Sequence, residues 1–313
     1  MNARLVLPLF LILATPALAQ VAQPADEAKS HGSAQPMTPP AERDSGKAPR
    51  LPSYQQPALE GTDAESSGGI GDEEKIGAYG SPRWTAHRRF AETRVYVRPQ
   101  GFFELEWWFK PEIEHGGGGS VETVQEFEAE LGLGHRLQLD FYLDTVKVGH
   151  EDNFDLDGFK MELRYAFADW GVIPGNPTAY LEYHESKGGS DSVEGKLLLG
   201  GEIAPRWHWG LNLVFERNIT DDLDNNYEWT GGISYTVTDM YDRTIGGLSV
   251  GAEVKQENHD LPGRRGNMIE TLQIGPSFQW RPLPAAHVDF VPLFGCTGFS
   301  PQFEPVVVVG WEF

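Results

Sequence analysis

The sequence predicts an all-β fold, a transmembrane antiparallel up-and-down β-barrel of about twelve strands behind a disordered N-terminal region. Three observations carry that prediction. The chain ends in Val306-Val307-Val308-Val309-Gly310-Trp311-Glu312-Phe313. Counting back by twos from Phe313 puts Trp311, Val309 and Val307 on one face and Glu312, Gly310 and Val308 on the other, so one face suits lipid and the other a lumen. From Gly101 onward, segments of about 9–11 residues alternate in polarity and are separated by Gly, Asp, Asn and Pro clusters. Finally, large aromatic residues recur at one level of successive segments, as interface girdles require.

Taken in order, the chain opens with Arg4, an apolar run over 5–14 and Ala17-Leu18-Ala19 before Gln20. This is the pattern of a signal peptide over 1–19, too short to span a bilayer. Residues 20–82, with Pro39-Pro40 and Ser66-Ser67-Gly68-Gly69, hold too few large apolar side chains to fold alone and are expected to form a disordered periplasmic tether. Residues 83–100 are basic: Arg83, Arg88, Arg89, Arg94 and Arg98 stand against Glu92 as the one acid of 83–98. Arg94, Tyr96 and Arg98 alternate with Val95 and Val97. This segment is expected to enter or cap the periplasmic mouth of the lumen and pair with Glu104, Glu106, Glu126 and Glu128, which otherwise repel one another. The alternative is a surface tether whose arginines meet water or lipid headgroups.

The barrel is expected over 101–313. In 102–114, Glu104, Glu106, Trp108, Lys110 and Glu112 point inward and Phe103, Leu105, Trp107, Phe109 and Ile113 outward. In 121–133, Glu126, Glu128 and Glu130 face Phe127, Ala129 and Leu131 across the strand. The same parity turns Asp140 and Asp144 inward in 136–148, Lys160, Glu162 and Arg164 in 156–168, and Glu182 and His184 in 178–186. It does so for Glu194, Lys196 and Glu202 in 192–204, Glu216 in 207–219, Glu228 in 227–238, and Glu253 and Lys255 in 244–257. The last strands are 269–281, marked by Phe278 and Trp280, 287–296 with Asp289 inward, and 305–313 with Glu312 inward.

Connections 134–135, 205–206, 239–243 and 282–286 are short and belong at the periplasmic side, whereas 115–120, 149–155, 187–191, 220–226, 258–268 and 297–304 are polar, mostly longer, and belong outside. Residues 169–177 form a longer periplasmic turn reversed at Pro174-Gly175-Asn176-Pro177. Phe103, Phe167, Trp170, Trp207, Trp209, Tyr235, Phe278, Trp280, Trp311 and Phe313 then fall at the periplasmic level. Tyr183, Phe215, Tyr227, Trp229 and Phe294 form a looser outer set.

Composition narrows the function. Cys296 is the only cysteine, which excludes a disulfide framework, and no apolar run after the leader approaches the roughly 20 residues of a membrane helix. The formal charge of -21, from 25 basic and 46 acidic residues, argues against nucleic-acid partners, because phosphate binding needs Lys and Arg. An acidic lumen lined by Glu104, Glu106, Glu112, Glu126, Glu128, Glu130, Asp140, Glu162 and Glu182 concentrates cations and repels anions, so one reading is a pore for small cationic or neutral solutes. The other is a filled structural barrel in which Lys110, Lys160, Arg164, Lys196 and Lys255 neutralise their neighbours.

The run from Phe90 to Trp108, with Thr93-Arg94-Val95-Tyr96-Val97-Arg98, Pro99-Gln100-Gly101 and Glu104-Leu105-Glu106-Trp107-Trp108, resembles uncharacterised porin-like bacterial outer-membrane barrels, as do Val193-Glu194-Gly195-Lys196-Leu197 and the terminal strand. The resemblance covers about residue 88 to the end. It implies an outer-membrane location among outer-membrane lipids and lipopolysaccharide, and a terminal strand, with Trp311 and Phe313, read by the barrel-assembly machinery. It leaves the solute open.

His184-Glu185-Ser186 resembles the His-x-Ser segment of outer-membrane phospholipases and lipid A deacylases, where the His serves as base for the hydroxyl. The expected orienting position about twelve residues after the Ser is Leu198, with Glu194 the only substitute, and parity turns His184 away from lipid. Asp222-Leu223-Asp224-Asn225-Asn226-Tyr227-Glu228 offers alternating oxygens but lacks the Gly and distal Glu of a calcium loop. Gly116–Gly119 reads as a loop tip. No metal or cofactor is expected.

Overall fold

The computed structural model describes residues 71–87, 89–114, 121–148, 154–220 and 223–313. The expected leader at 1–19, the tether up to residue 70 and the loop tip at 115–120 lie outside the described residues. Twelve strands follow one another: β1 (Phe103–Ile113), β2 (Val121–Gly134), β3 (Leu137–Val148), β4 (Asp155–Ala166), β5 (Thr178–Ser186), β6 (Ser192–Ala204), β7 (Trp207–Asn218), β8 (Asn225–Thr238), β9 (Gly247–Asp260), β10 (Ile269–Leu283), β11 (Ala286–Gly295) and β12 (Phe303–Glu312). Each pairs antiparallel with the next, and β12 returns to β1 through Val309↔Trp107, Trp311↔Leu105 and Glu312↔Glu104, so the barrel is closed and leaves no sheet edge.

Strands β5 and β6 occupy the spans the sequence predicts, and most others differ by one to three residues at an end. The largest difference is β9, expected over 244–257 and found three residues later at both ends. Asp242 Oδ1 accepts the backbone N–H groups of Thr244 at 2.7 Å and Ile245 at 3.1 Å, and this holds 244–246 in the turn. At the far end, Asn258 and His259 continue the ladder opposite Glu270 and Ile269.

Polarity is inverted relative to a water-soluble domain. Leu105, Phe127, Leu143, Leu213 and Ile274 are 43–51% exposed on the outer surface, whereas Glu104, Glu130, Asp140 and Glu162 are 0% exposed inside. Because side chains alternate along each strand, the register that shows Phe127 to lipid also commits Glu126 and Glu128 to the lumen. The terminal aromatics close the barrel at the end where the first and last strands meet. Phe313 N–H donates to Phe103 O at 3.0 Å, and the two rings lie 5.4 Å apart.

Trp170 departs from its expected place in the periplasmic girdle. It packs edge-on against Trp84 at 5.5 Å and Tyr96 at 5.2 Å, and its backbone N–H donates to Tyr79 O. The 167–177 turn is long because it folds over the segment that precedes the barrel. That segment begins earlier than composition suggests: Gly71–Glu73 form a 3-10 turn, and Lys75–Ile76 pair with Ser81–Pro82. These residues bury few apolar groups of their own and take their order from the barrel wall, as the contacts below show.

Phe127 lies at mid-height of β2 and Phe294 near the outer end of β11, both pointing outward. Phe127→Arg is expected to lower unfolding stability in lipid vesicles by about 2–4 kcal/mol and Phe294→Arg by about 0–1 kcal/mol. Equal losses in urea titrations would contradict this placement in the bilayer.

Candidate functional site in the barrel lumen

Residues 71–101 run into the lumen from the end at which β1 begins and β12 finishes, reach mid-height near Ala91 and Glu92, and return to that end to begin β1. The entry is held by charge. Gly71 N–H donates to Asp239 Oδ2, Arg89 pairs with Asp72 at 2.9 Å, and Glu73 lies 2.9 Å from His208 Nε2 of β7. Burial acts to raise the Asp72 carboxyl, but the Arg89 guanidinium more than offsets it and holds the group below the usual carboxylate range. A helical turn, Arg83–Ala86, then buries Trp84, whose indole N–H donates to Glu202 of β6 at 3.0 Å. His87 Nδ1 sits 2.5 Å from Glu312 Oε1. Burial and the charge of Arg281 pull the His87 pKa down to about 4, with Glu312 opposing.

At the tip, both oxygens of Glu253 accept backbone N–H groups, from Ala91 and Glu92, each at 2.9 Å. Ala91 also covers an apolar patch of the wall made by Trp108, Val291, Leu293, Val306 and Val308. The return arm is clamped by Asn212 of β7, which accepts Arg94 N–H at 2.8 Å and donates to Arg94 O at 2.6 Å. The Arg94 guanidinium donates to Glu128 at 2.7 and 2.8 Å, to Glu130 at 2.9 Å and to the Tyr142 hydroxyl at 3.3 Å, and lies 5.4 Å from the centre of the Trp108 ring. Arg98 donates to Glu130 and Glu104, with Glu106 3.8 Å away, and its backbone N–H donates to Gln138 at 2.7 Å. Burial acts to lower both guanidinium pKa values, and the surrounding carboxylates outweigh it and raise them. Tyr96, whose phenol donates to Ala168 O, is pushed up to about 12 by burial.

The wall makes room for this arm by omitting side chains. A Cβ at Gly200 would sit 2.2 Å from Val95 Cγ1, and one at Gly232 would sit 2.4 Å from the Phe90 ring. Such approaches leave space only for hydrogen. A small cavity of about 20 Å³, room for one water, remains among Trp84, Arg94, Tyr96, Arg98 and Arg164.

The remaining lumen residues form further charge clusters. Glu126 lies between Lys110 at 2.6 Å and Lys160 at 2.5 Å, and Lys160 also meets Asp144 at 3.0 Å. Arg164 pairs with Glu162 and, at 3.1 Å, with Asp140. Tyr180 donates to Glu182 at 2.6 Å, and Lys196 pairs with Glu194 at 2.7 Å. Glu112 stands opposite Glu122 near the outer end. His184 turns towards Asp144, 3.7 Å away, while Ser186 Oγ accepts Gly189 N–H at 2.9 Å. Neither these contacts nor Glu194, held by Lys196, forms a His–Ser relay. Trp311 and Phe313 are exposed on the outer surface.

Sequence reasoning missed Asn212, Gln138 and Tyr142 as partners of the segment. All three share the inward parity of their strands, but nothing in a polar side chain's position says which segment it will meet. The apolar lumen patch had a visible signal: Val306 and Val308 face the lumen within an uninterrupted Val run.

No family model matches the chain, and no curated protein matches it in sequence. Among solved structures it is similar to an outer-membrane channel from Pseudomonas putida F1, with 10% identity, a TM-score of 0.51, and coverage of 70% of this chain and 98% of that one. Two others are the porin NanC (10% identity, TM-score 0.45, 67% and 98% covered) and OprD of Pseudomonas aeruginosa (9%, 0.29, 71% and 97%). The first likeness shows a shared fold, and the other two superpose too loosely to carry an argument. Fold and lumen together define a closed outer-membrane-type β-barrel in which the segment ahead of β1 fills the half of the lumen nearest the start of β1.

Gly232→Val is expected to crowd Phe90 and loosen the segment. Mass spectrometry after trypsin treatment of the folded barrel should find cleavage after Arg89 or Arg94 in the variant and protection in the wild type. Equal protection would contradict the close fit at this glycine.

Proposed function

We propose that this protein is a porin-like channel of the bacterial outer membrane, closed at its periplasmic end by residues 71–101 and passing small cationic or neutral solutes when that segment withdraws. The observation that carries the reading is that one half of the lumen is occupied by a separable stretch of chain, seated on glycines of the wall. A wall packed on itself would have no such seats. With the segment withdrawn, Glu104, Glu106, Glu128 and Glu130 lose the charges of Arg94 and Arg98, and an acidic constriction in a low-dielectric wall attracts cations. In this reading the stretch ahead of residue 71 lies in the periplasm, outer-membrane lipids and lipopolysaccharide surround the barrel, and assembly machinery reads the strand ending in Trp311 and Phe313. No enzymatic step is assigned, since His184 and Ser186 make separate contacts.

A second reading, a permanently filled structural barrel, is favoured by the pairs of Lys110 and Lys160 with Glu126 and of Lys196 with Glu194, which balance charge without any solute. Planar-bilayer recording separates the two. Deleting 71–100 is expected to raise single-channel conductance several-fold and to give cation selectivity under a KCl gradient. No conductance after deletion would leave the structural barrel, and anion selectivity would overturn the electrostatic argument.

A further inference from the structure

We infer that the pocket around Arg94 is a guanidinium-binding site of the barrel wall, which Arg94 occupies in place of a diffusible solute carrying a guanidinium or amidinium group. For its solute role the inference rests on the channel reading above; for binding it stands alone.

The pocket is built by three neighbouring strands. Strand β1 supplies Trp108, β2 supplies Glu128 and Glu130, and β3 supplies Tyr142. Register alone assembles it: Glu104 stands directly opposite Glu130 and Glu106 opposite Glu128, so like charges face each other across one ladder. Such pairs repel unless a cation lies between them. His287 of β11 answers Glu104 at 2.9 Å and Glu106 at 3.3 Å, whereas Glu128 and Glu130 meet arginines that belong to the inserted segment. Higher in the same lumen the design differs, for Glu126 receives its lysines from β1 and β4.

The contacts are specific for a planar, forked cation. One nitrogen meets both oxygens of Glu128, the second nitrogen meets Glu130, a phenol oxygen accepts from the edge, and an indole lies against the group. An ammonium ion cannot present donors from two separate nitrogens and a flat face at once. Trp108 is itself positioned by its indole N–H donating to Glu128 at 2.9 Å, and the Tyr142 hydroxyl, 2.6 Å from Glu128 and 2.7 Å from Glu162, donates its one proton to one of them. The seat is therefore held by wall-to-wall contacts as well as by its occupant. The arm is in turn clamped through its backbone by Asn212, so truncating Arg94 empties the pocket while a second anchor retains the strand.

The test is chemical rescue of full-length R94A. In detergent, ethylguanidinium chloride at about 10 mM, below denaturing levels, is expected to raise the R94A melting midpoint by a few degrees and to leave the wild type, whose pocket is filled, unchanged. Sodium chloride and ethylammonium chloride at equal ionic strength should not reproduce the shift, and R94A/E128Q should lose it. Where R94A refolds poorly, refolding yield with and without ethylguanidinium replaces the midpoint as the readout. No response in R94A, or an equal response in the wild type or with sodium chloride, would overturn the site. In bilayers, R94A is expected to conduct more than the wild type and to be blocked by ethylguanidinium. A melting response without conductance in any variant keeps the site and removes the channel reading; conductance without a melting response does the reverse.

Discussion

Glu128 and Glu130 are wholly shielded from water in the middle of a membrane barrel, and supplying them with positive charge organises the rest of the lumen. Removing one partner from a buried ion pair costs about 3–5 kcal/mol, because the charge left behind has lost its hydration and gained nothing. The strands cannot evade this. A period of two that turns Phe127, Ala129 and Leu131 to lipid turns Glu126, Glu128 and Glu130 inward, opposite Glu104 and Glu106. The chain meets the demand with Arg94 and Arg98, which lie only a few residues ahead of the first strand and reach the carboxylates by folding back into the barrel.

Charge alone does not fix the path of that segment. Shape does so through Gly200 and Gly232, where wall side chains are absent so that Val95 and Phe90 can approach. Hydrogen bonds do so through Glu253 at the tip and Asn212 on the return arm. Apolar burial contributes where Ala91 meets the Val306–Val308 patch, and where Trp84 and Tyr96 pack edge-on against Trp170 of the long turn. The result resembles a domain core in its packing, yet it is assembled from a segment and a wall that are separate along the chain. That separability is what distinguishes a closed channel from a solid barrel, and it is the basis of the functional reading.

Much of this was legible in the sequence because barrel strands obey a strict two-residue rule. The spans of β5 and β6 follow from the turn residues that bound them, and the outward face of the terminal strand from its two-residue alternation. β9 was displaced because the Asp242 side chain captures two backbone donors of the turn, a local competition that hydrophobic alternation does not register. Trp170 leaves the girdle for a related reason: an aromatic residue at the interface level suits lipid or a neighbouring ring equally well, and only the arrival of Trp84 and Tyr96 decides. The basic character of 83–98 pointed towards the acidic lumen. The ordered stretch from Gly71 does not show itself, because a residue such as Tyr79 finds its partners in Tyr96, Ala166 and Trp170, all distant along the chain.

The placement of the segment is tested most directly by a cross-link across the seat at Gly200. A Cβ there would lie 3.3 Å from Val95 Cβ, close to the separation of about 3.5–4.5 Å found across disulfides. In a Cys296→Ser background that leaves no other thiol, Val95→Cys with Gly200→Cys is expected to form an intramolecular disulfide in barrels assembled in lipid vesicles. Contradiction would come from barrels in which the two cysteines stay reduced under mild oxidation and the one at position 95 reacts freely with a membrane-impermeant maleimide.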